Sequence, residues 1–75
     1  MGKGGDWMGL ANKIREYRKK KGLTQQELAV RASVSRNTII GLESGAIDTT
    51  TTDTILKLSK ALNVAIPKIF FTKNV

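Results

Sequence analysis

Six residues between positions 35 and 41 set out the chemistry open to this chain. Ser35 is an N-cap residue, and Arg36, Asn37 and Thr38 occupy the first turn of the helix it opens. Their donors and acceptors suit base edges and phosphate oxygens, and an apolar stripe follows at Ile39 and Leu42. Ile40 and Gly41 lie one turn further along the polar face. A helix with polar donors at its N-terminus and apolar residues behind fits a recognition helix that reads the major groove of double-stranded DNA. Covalent and metal chemistry are poorly served. The chain has no histidine and no cysteine, and its carboxylates are not clustered, so no catalytic residue, metal site or cofactor is assigned and no enzyme is expected.

A second helix must hold that face in place. Thr24 and Glu27 have the spacing of a capping box, in which each side chain serves the other residue's backbone N–H. Leu28, Ala29 and Ala32 follow on one face of a helix over 25–32. Residues 33–35 leave only a tight turn before the third helix, over 36–43. Around this pair, the spacing of Leu10, Ile14 and Tyr17 predicts a first helix from about residue 8 or 10 to Lys21, closed by Gly22. Ile55, Leu58 and Leu62 predict a fourth over 52–62, stopped by Asn63. Pro67 suits the first turn of a short fifth helix over 66–71, where Ile66, Ile69 and Phe70 close the core. No segment alternates long enough to argue for a strand. The fold class is therefore all-α with five helices, and the domain runs over 10–71. The glycine-rich residues 1–9 read as a flexible arm and 72–75 as a tail.

Charge agrees with a polyanionic partner. The 75 residues carry a net +7, and residues 1–36 hold nine of the 13 Lys/Arg against three of the six Asp/Glu. No apolar run nears the roughly 20 residues that span a bilayer, and the N-terminal residues lack a signal peptide's apolar core. The expected location is the cytoplasm, on the nucleoid, with no membrane partner. A domain of this size has a net stability on the order of 3–5 kcal/mol unless it dimerises.

The segment IREYRKKKGLTQQELAVRASVSRNTIIGLESG resembles the signature of the lambda-repressor-like, Cro/C1-type (XRE) helix-turn-helix domains, and TILKLSKALNVAIPKIF is similar to their fourth and fifth helices. The resemblance implies a sequence-specific transcriptional regulator, a repressor in the first instance, that reads DNA as a homodimer. It also admits antitoxin-type or controller-type proteins, whose role includes a protein partner such as a toxin or another regulator. It implies that Ser35, Arg36, Asn37, Thr38, Ile40 and Gly41 face bases. Gln25, with Thr24 and Gln26 beside it, is assigned to phosphate, as are Thr49 and Thr50 in the loop before the fourth helix. Arg18 and Glu43 match a structural salt bridge. Ile69, Phe71 and Val75 are the candidates for a dimer patch.

The chain departs from that pattern at several points. Ser33 replaces the glycine of the turn, so it carries strain of roughly 1 kcal/mol at positive φ unless the turn is shifted. Gly41 replaces a side chain that often reads bases. The loop after the third helix lacks proline and basic residues, and Thr52 stands where a buried leucine is frequent.

Overall fold

The computed structural model of the chain describes residues 6, 7 and 9–72. The order is β1 (Asp6–Trp7), β2 (Leu10–Asn12), α1 (Ile14–Lys20), α2 (Gln25–Ala32), α3 (Arg36–Ser44), β3 (Thr50–Thr51), α4 (Thr52–Leu62), α5 (Ile66–Ile69) and β4 (Phe70–Thr72). Every helix, down to the four-residue α5 with its Ile69, supplies at least one fully buried large apolar residue. Ile14, Leu28, Ile39, Leu42, Ile55, Leu58, Leu62 and Ile69 are all at or below 1 % exposure. Tyr17, Val34 and Ile66 pack against this cluster from its margin. Burial of such a side chain contributes about 1.5–3 kcal/mol relative to exposure, so the core rests on the stripes the sequence displays.

The helix boundaries follow from local chemistry. Glu27 N–H donates to Thr24 Oγ1 at 3.0 Å and Thr24 N–H donates to Glu27 Oε1 at 2.8 Å, which completes the capping box. These bonds hold the Glu27 carboxyl below its ordinary range, the Thr24 backbone N–H being the larger cause. Gly22 follows α1 at φ +69° and Asn63 ends α4 at φ +57°. The turn between α2 and α3 is not shifted. Ser33 itself takes the left-handed conformation, φ 56° and ψ 42°, where a Cβ meets the following carbonyl. Ser33→Gly is therefore expected to stabilise the domain by roughly 0.5–1 kcal/mol, less than the full strain because glycine also loosens the unfolded chain. A thermal melt checks this: a rise of a few degrees is expected, and a fall would refute the strain assignment.

Three expectations are corrected. The first helix does not begin at residue 8 or 10. Gly9 sits at φ +65° and Leu10–Asn12 form a strand that pairs antiparallel with Phe70–Thr72. Asn12 sets the true start, because its Oδ1 accepts from Ile14 N–H at 3.2 Å while its Nδ2 donates to the Leu42 carbonyl at 2.9 Å. The fifth helix stops at Ile69 rather than residue 71, since Phe70–Thr72 are extended in that pair. Finally, the arm is not wholly free of structure: Asp6 and Trp7 pair with Thr51 and Thr50. The remainder of the predicted arm, residues 1–5 and Met8, lies outside the described residues, as do residues 73–75 of the tail. One ribbon thus ties β1 to the residues that lead into α4, and the other ties β2 to the strand that follows α5.

Candidate nucleic-acid interface

The site is built on α3. Ser35 is its N-cap, with Oγ accepting from Thr38 N–H at 3.1 Å. The Ser35 and Thr38 hydroxyls also share a 2.8 Å hydrogen bond. Arg36 and Asn37 are exposed on the first turn, and among the described residues neither side chain is engaged by another. Ile40 follows at 37 % exposure. Ile39 and Leu42 face the opposite way, into the core, so the helix is split between a packed side and an open one. Five of the six residues assigned to bases are thus brought to one accessible surface.

Gly41 is the exception. It is buried, because Ile47 from the following loop lies across it. A Cβ built on Gly41 would collide with the Ile47 side chain, standing 2.6 Å from Cγ1. The absence of a side chain at position 41 is thus a packing requirement for the loop, and Gly41 itself presents no surface.

The N-terminal end of α2 is also open. Thr24 and Gln26 are exposed. Thr24 Oγ1 accepts the cap bond, which leaves its hydroxyl proton to donate outward. Gln25 is partly committed elsewhere: its Nε2 donates to Glu43 Oε1 at 3.1 Å, leaving one amide hydrogen for an outside acceptor. Thr49 lies in the loop with its Oγ1 3.4 Å from Asp48 Oδ1, so a carboxylate stands beside that hydroxyl. Thr50 is in β3, half-buried, with its backbone paired to Trp7.

Behind the surface a single carboxylate ties three elements together. Arg18 donates from Nε to Glu43 Oε2 at 2.6 Å and from Nη2 to Glu43 Oε1 at 3.0 Å, while its Nη1 donates to the Leu23 carbonyl at 2.8 Å. The Glu43 side chain is fully buried and that of Arg18 is 11 % exposed. Burial alone would raise the Glu43 carboxyl, but hydrogen bonds from Arg18 and then Gln25 outweigh it and hold the group below its ordinary value. The Arg18 guanidinium moves up for the matching reason, chiefly its hydrogen bond to Glu43. Arg15, which lies in the signature segment but has no role assigned there, adds a more exposed guanidinium 3.5 Å from Glu43 Oε1. Its signal is one of spacing, because Arg15 and Arg18 are an i, i+3 pair on one face of α1.

The dimer candidates separate. Ile69 is fully buried and belongs to the core, so it is withdrawn from any intersubunit patch. Phe71 is 39 % exposed, and Val75 lies outside the described residues. Leu56 on α4 joins them at 45 % exposure. Its signal in the sequence is a leucine standing off the Ile55–Leu58–Leu62 stripe. No helix among the described residues is long and apolar enough to cross a membrane.

Comparisons with known proteins agree with this geometry. The helix-turn-helix family model matches residues 14–69. An uncharacterized HTH-type transcriptional regulator of Methanothermobacter thermautotrophicus is 66 % identical over 32 residues, a match spanning 43 % of this chain and 46 % of that protein. Another, of Methanocaldococcus jannaschii, is 39 % identical over 61 residues, 81 % of this chain and 91 % of that protein. Among solved structures, SinR, a master regulator for biofilm formation, in complex with DNA superposes with a TM-score of 0.70 at 30 % identity, covering 72 % of this chain and 86 % of that one. The restriction–modification controller protein C.AhdI from Aeromonas hydrophila gives 0.68 at 34 %, covering 73 % and 82 %. A chain of the SinR protein/SinI protein complex gives 0.68 at 30 %, covering 71 % and 52 %.

Proposed function

The chain belongs to the helix-turn-helix family, and from that membership we propose how it works: it is a DNA-binding transcriptional regulator that lays α3 in the major groove. The observation that carries this is the open face of α3, where Arg36 and Asn37 stand exposed beyond a cap while Ile39 and Leu42 anchor the helix from behind. An α-helix fits the major groove by diameter, and the two side chains have the donor and acceptor patterns for guanine and adenine edges. Thr24, Gln25 and Gln26 at the start of α2 fix the orientation through phosphate oxygens, with Thr49 and Thr50 in support. The protein acts in the cytoplasm, on the nucleoid, and is not an enzyme.

Two copies are needed for tight binding, because one domain of this size makes few contacts. A homodimer reads half-sites about one helical turn, around 34 Å, apart. Leu56 on α4 and Phe71 on β4, both exposed, are the apolar residues assigned to that contact. Occupancy of an operator by such a dimer represses by exclusion. A second reading is supported by the likeness to the SinR protein/SinI protein complex: an antitoxin-type or controller-type protein whose main role includes binding a partner protein.

The test is binding to duplex DNA across a salt series. With about eight phosphate contacts per dimer, log K is expected to fall against log salt with a slope near −7. Binding indifferent to salt, or no binding to any duplex drawn from a random pool, would sink the proposal.

A further inference from the structure

Gly41 leaves a gap on the open face of α3, and the chain fills it from outside the helix. Asn37 and residue 41 are an i, i+4 pair, so they lie one above the other on the same face. The Ile47 side chain occupies the path that a side chain at position 41 would take out of the helix, since a Cβ there would stand 2.6 Å from Ile47 Cγ1. The docking is fixed by the backbone. Ile47 N–H donates to the Gly41 carbonyl at 3.0 Å, and Ser44 Oγ donates to the same carbonyl at 3.2 Å. Ser44 Oγ in turn accepts from Ala46 N–H at 3.2 Å, and Gly45 at φ +84° turns the chain back over the helix. Despite this, Ile47 keeps 38 % of its surface, and Ile40, the residue before Gly41, keeps 37 %.

We propose that Ile47 replaces the side chain that position 41 lacks and acts as a specificity-determining contact. With Ile40 it presents an apolar pair to the base-pair edges one turn beyond Asn37, and it selects thymine there. The inference rests on the reading of α3 as the major-groove helix. The base follows from chemistry: the thymine methyl is the apolar group that an unmodified major-groove edge presents, and isoleucine has no donor or acceptor with which to read another edge. Packing against Gly41 also restrains the Ile47 side chain before DNA arrives, which lowers the entropy lost on contact.

The experiment starts from a duplex that the wild-type protein selects from random DNA. Its thymines are replaced one at a time by deoxyuridine, which removes only the methyl group. At one position at least, uracil is expected to weaken wild-type binding about three- to fivefold. The same replacement is expected to leave Ile47→Ala unaffected, with Ile47→Val between the two. Equal sensitivity of wild type and Ile47→Ala at every position would overturn the inference. Should Ile47→Ala unfold, Gly41→Gln combined with Ile47→Ala refills the space from the helix and is expected to change the base selected there, and an unchanged selection overturns the inference. A selected sequence that shifts with Arg36→Ala but is untouched by both Ile47 variants leaves α3 as the reading helix and removes only Ile47. A wild-type protein that selects nothing removes both.

Discussion

Glu43→Ala is expected to lower the unfolding free energy by about 3–5 kcal/mol, which is comparable with the whole stability of a domain this small. The cost comes from what remains. Arg18 stays buried, and two of its three hydrogen-bonded nitrogens, Nε and Nη2, lose their acceptor. A guanidinium cannot shed its proton to escape. The change also frees Gln25 at the start of α2, so the junction of α1, α2 and α3 loosens together. Urea titration of the variant is expected to show a large unfolded fraction, about half of the molecules, at room temperature without denaturant. The source of the loss is separable: replacing both partners by apolar residues, Arg18→Met with Glu43→Leu, is expected to recover most of it. As a reference, Asp53→Ala breaks the exposed Lys57 pair, 3.0 Å apart with side chains 42 % and 73 % exposed, and is expected to cost no more than about 0.5 kcal/mol. If the two single variants melted alike, the buried pair would not be the point that fastens α1 to α3.

The same network sets the acid limit of the fold. Glu43 titrates below its ordinary value near 4.5 when folded, so the folded state holds its proton less tightly than the unfolded chain does. Its contribution is complete above that value and is lost as pH falls through the lower, folded pKa. Glu27 shifts in the same direction and adds to the same window.

How much of this the sequence reveals depends on the range of each interaction. The capping box of Thr24 and Glu27 is written in a three-residue spacing, and the buried stripes are written in turns of helix, so both are legible from the chain alone. The Arg18–Glu43 pair spans 25 residues and no spacing rule joins its members. It is legible only through resemblance to a family. The strands escape detection because pieces of two and three residues are too short for an alternating pattern, and Asn12 marks a helix start only once its two hydrogen bonds are seen. Gly41 misleads in an instructive way. A missing side chain on a helix reads as a gap in the binding face, yet the loop that refills it lies six positions later and returns through a left-handed Gly45. Ile69 misleads for the opposite reason: a residue near the end of the chain looks available, but it is fully buried in the core cluster, and β4 directly after it pairs back with β2.

Arg36→Ala is expected to weaken binding to the selected duplex by about 1–3 kcal/mol per half-site, or roughly 30-fold to roughly 20,000-fold for a two-fold dimer. The hydroxyls of Ser35 and Thr38 already bond to each other, so the first turn offers Arg36 and Asn37 as the side chains not committed within the helix. Hydrogen-bonding discrimination by the first turn therefore rests on these two residues, and removing one should broaden the sequences recovered from random DNA at the position it reads. Asn37→Ala is expected to do the same at a neighbouring position. Affinity for unrelated duplexes is expected to change little, because that binding comes from phosphate interactions the variants keep. The contrast decides between the two roles open to Arg36. A guanidinium on a base edge costs specificity and leaves the salt slope nearly unchanged. A guanidinium on phosphate costs affinity on every sequence alike. It flattens the slope by about 0.9 for each phosphate no longer neutralised, close to two units in a dimer. If selection with both variants returned the wild-type sequence, α3 would not be the element that reads DNA, and the exposed face it presents would need another occupant.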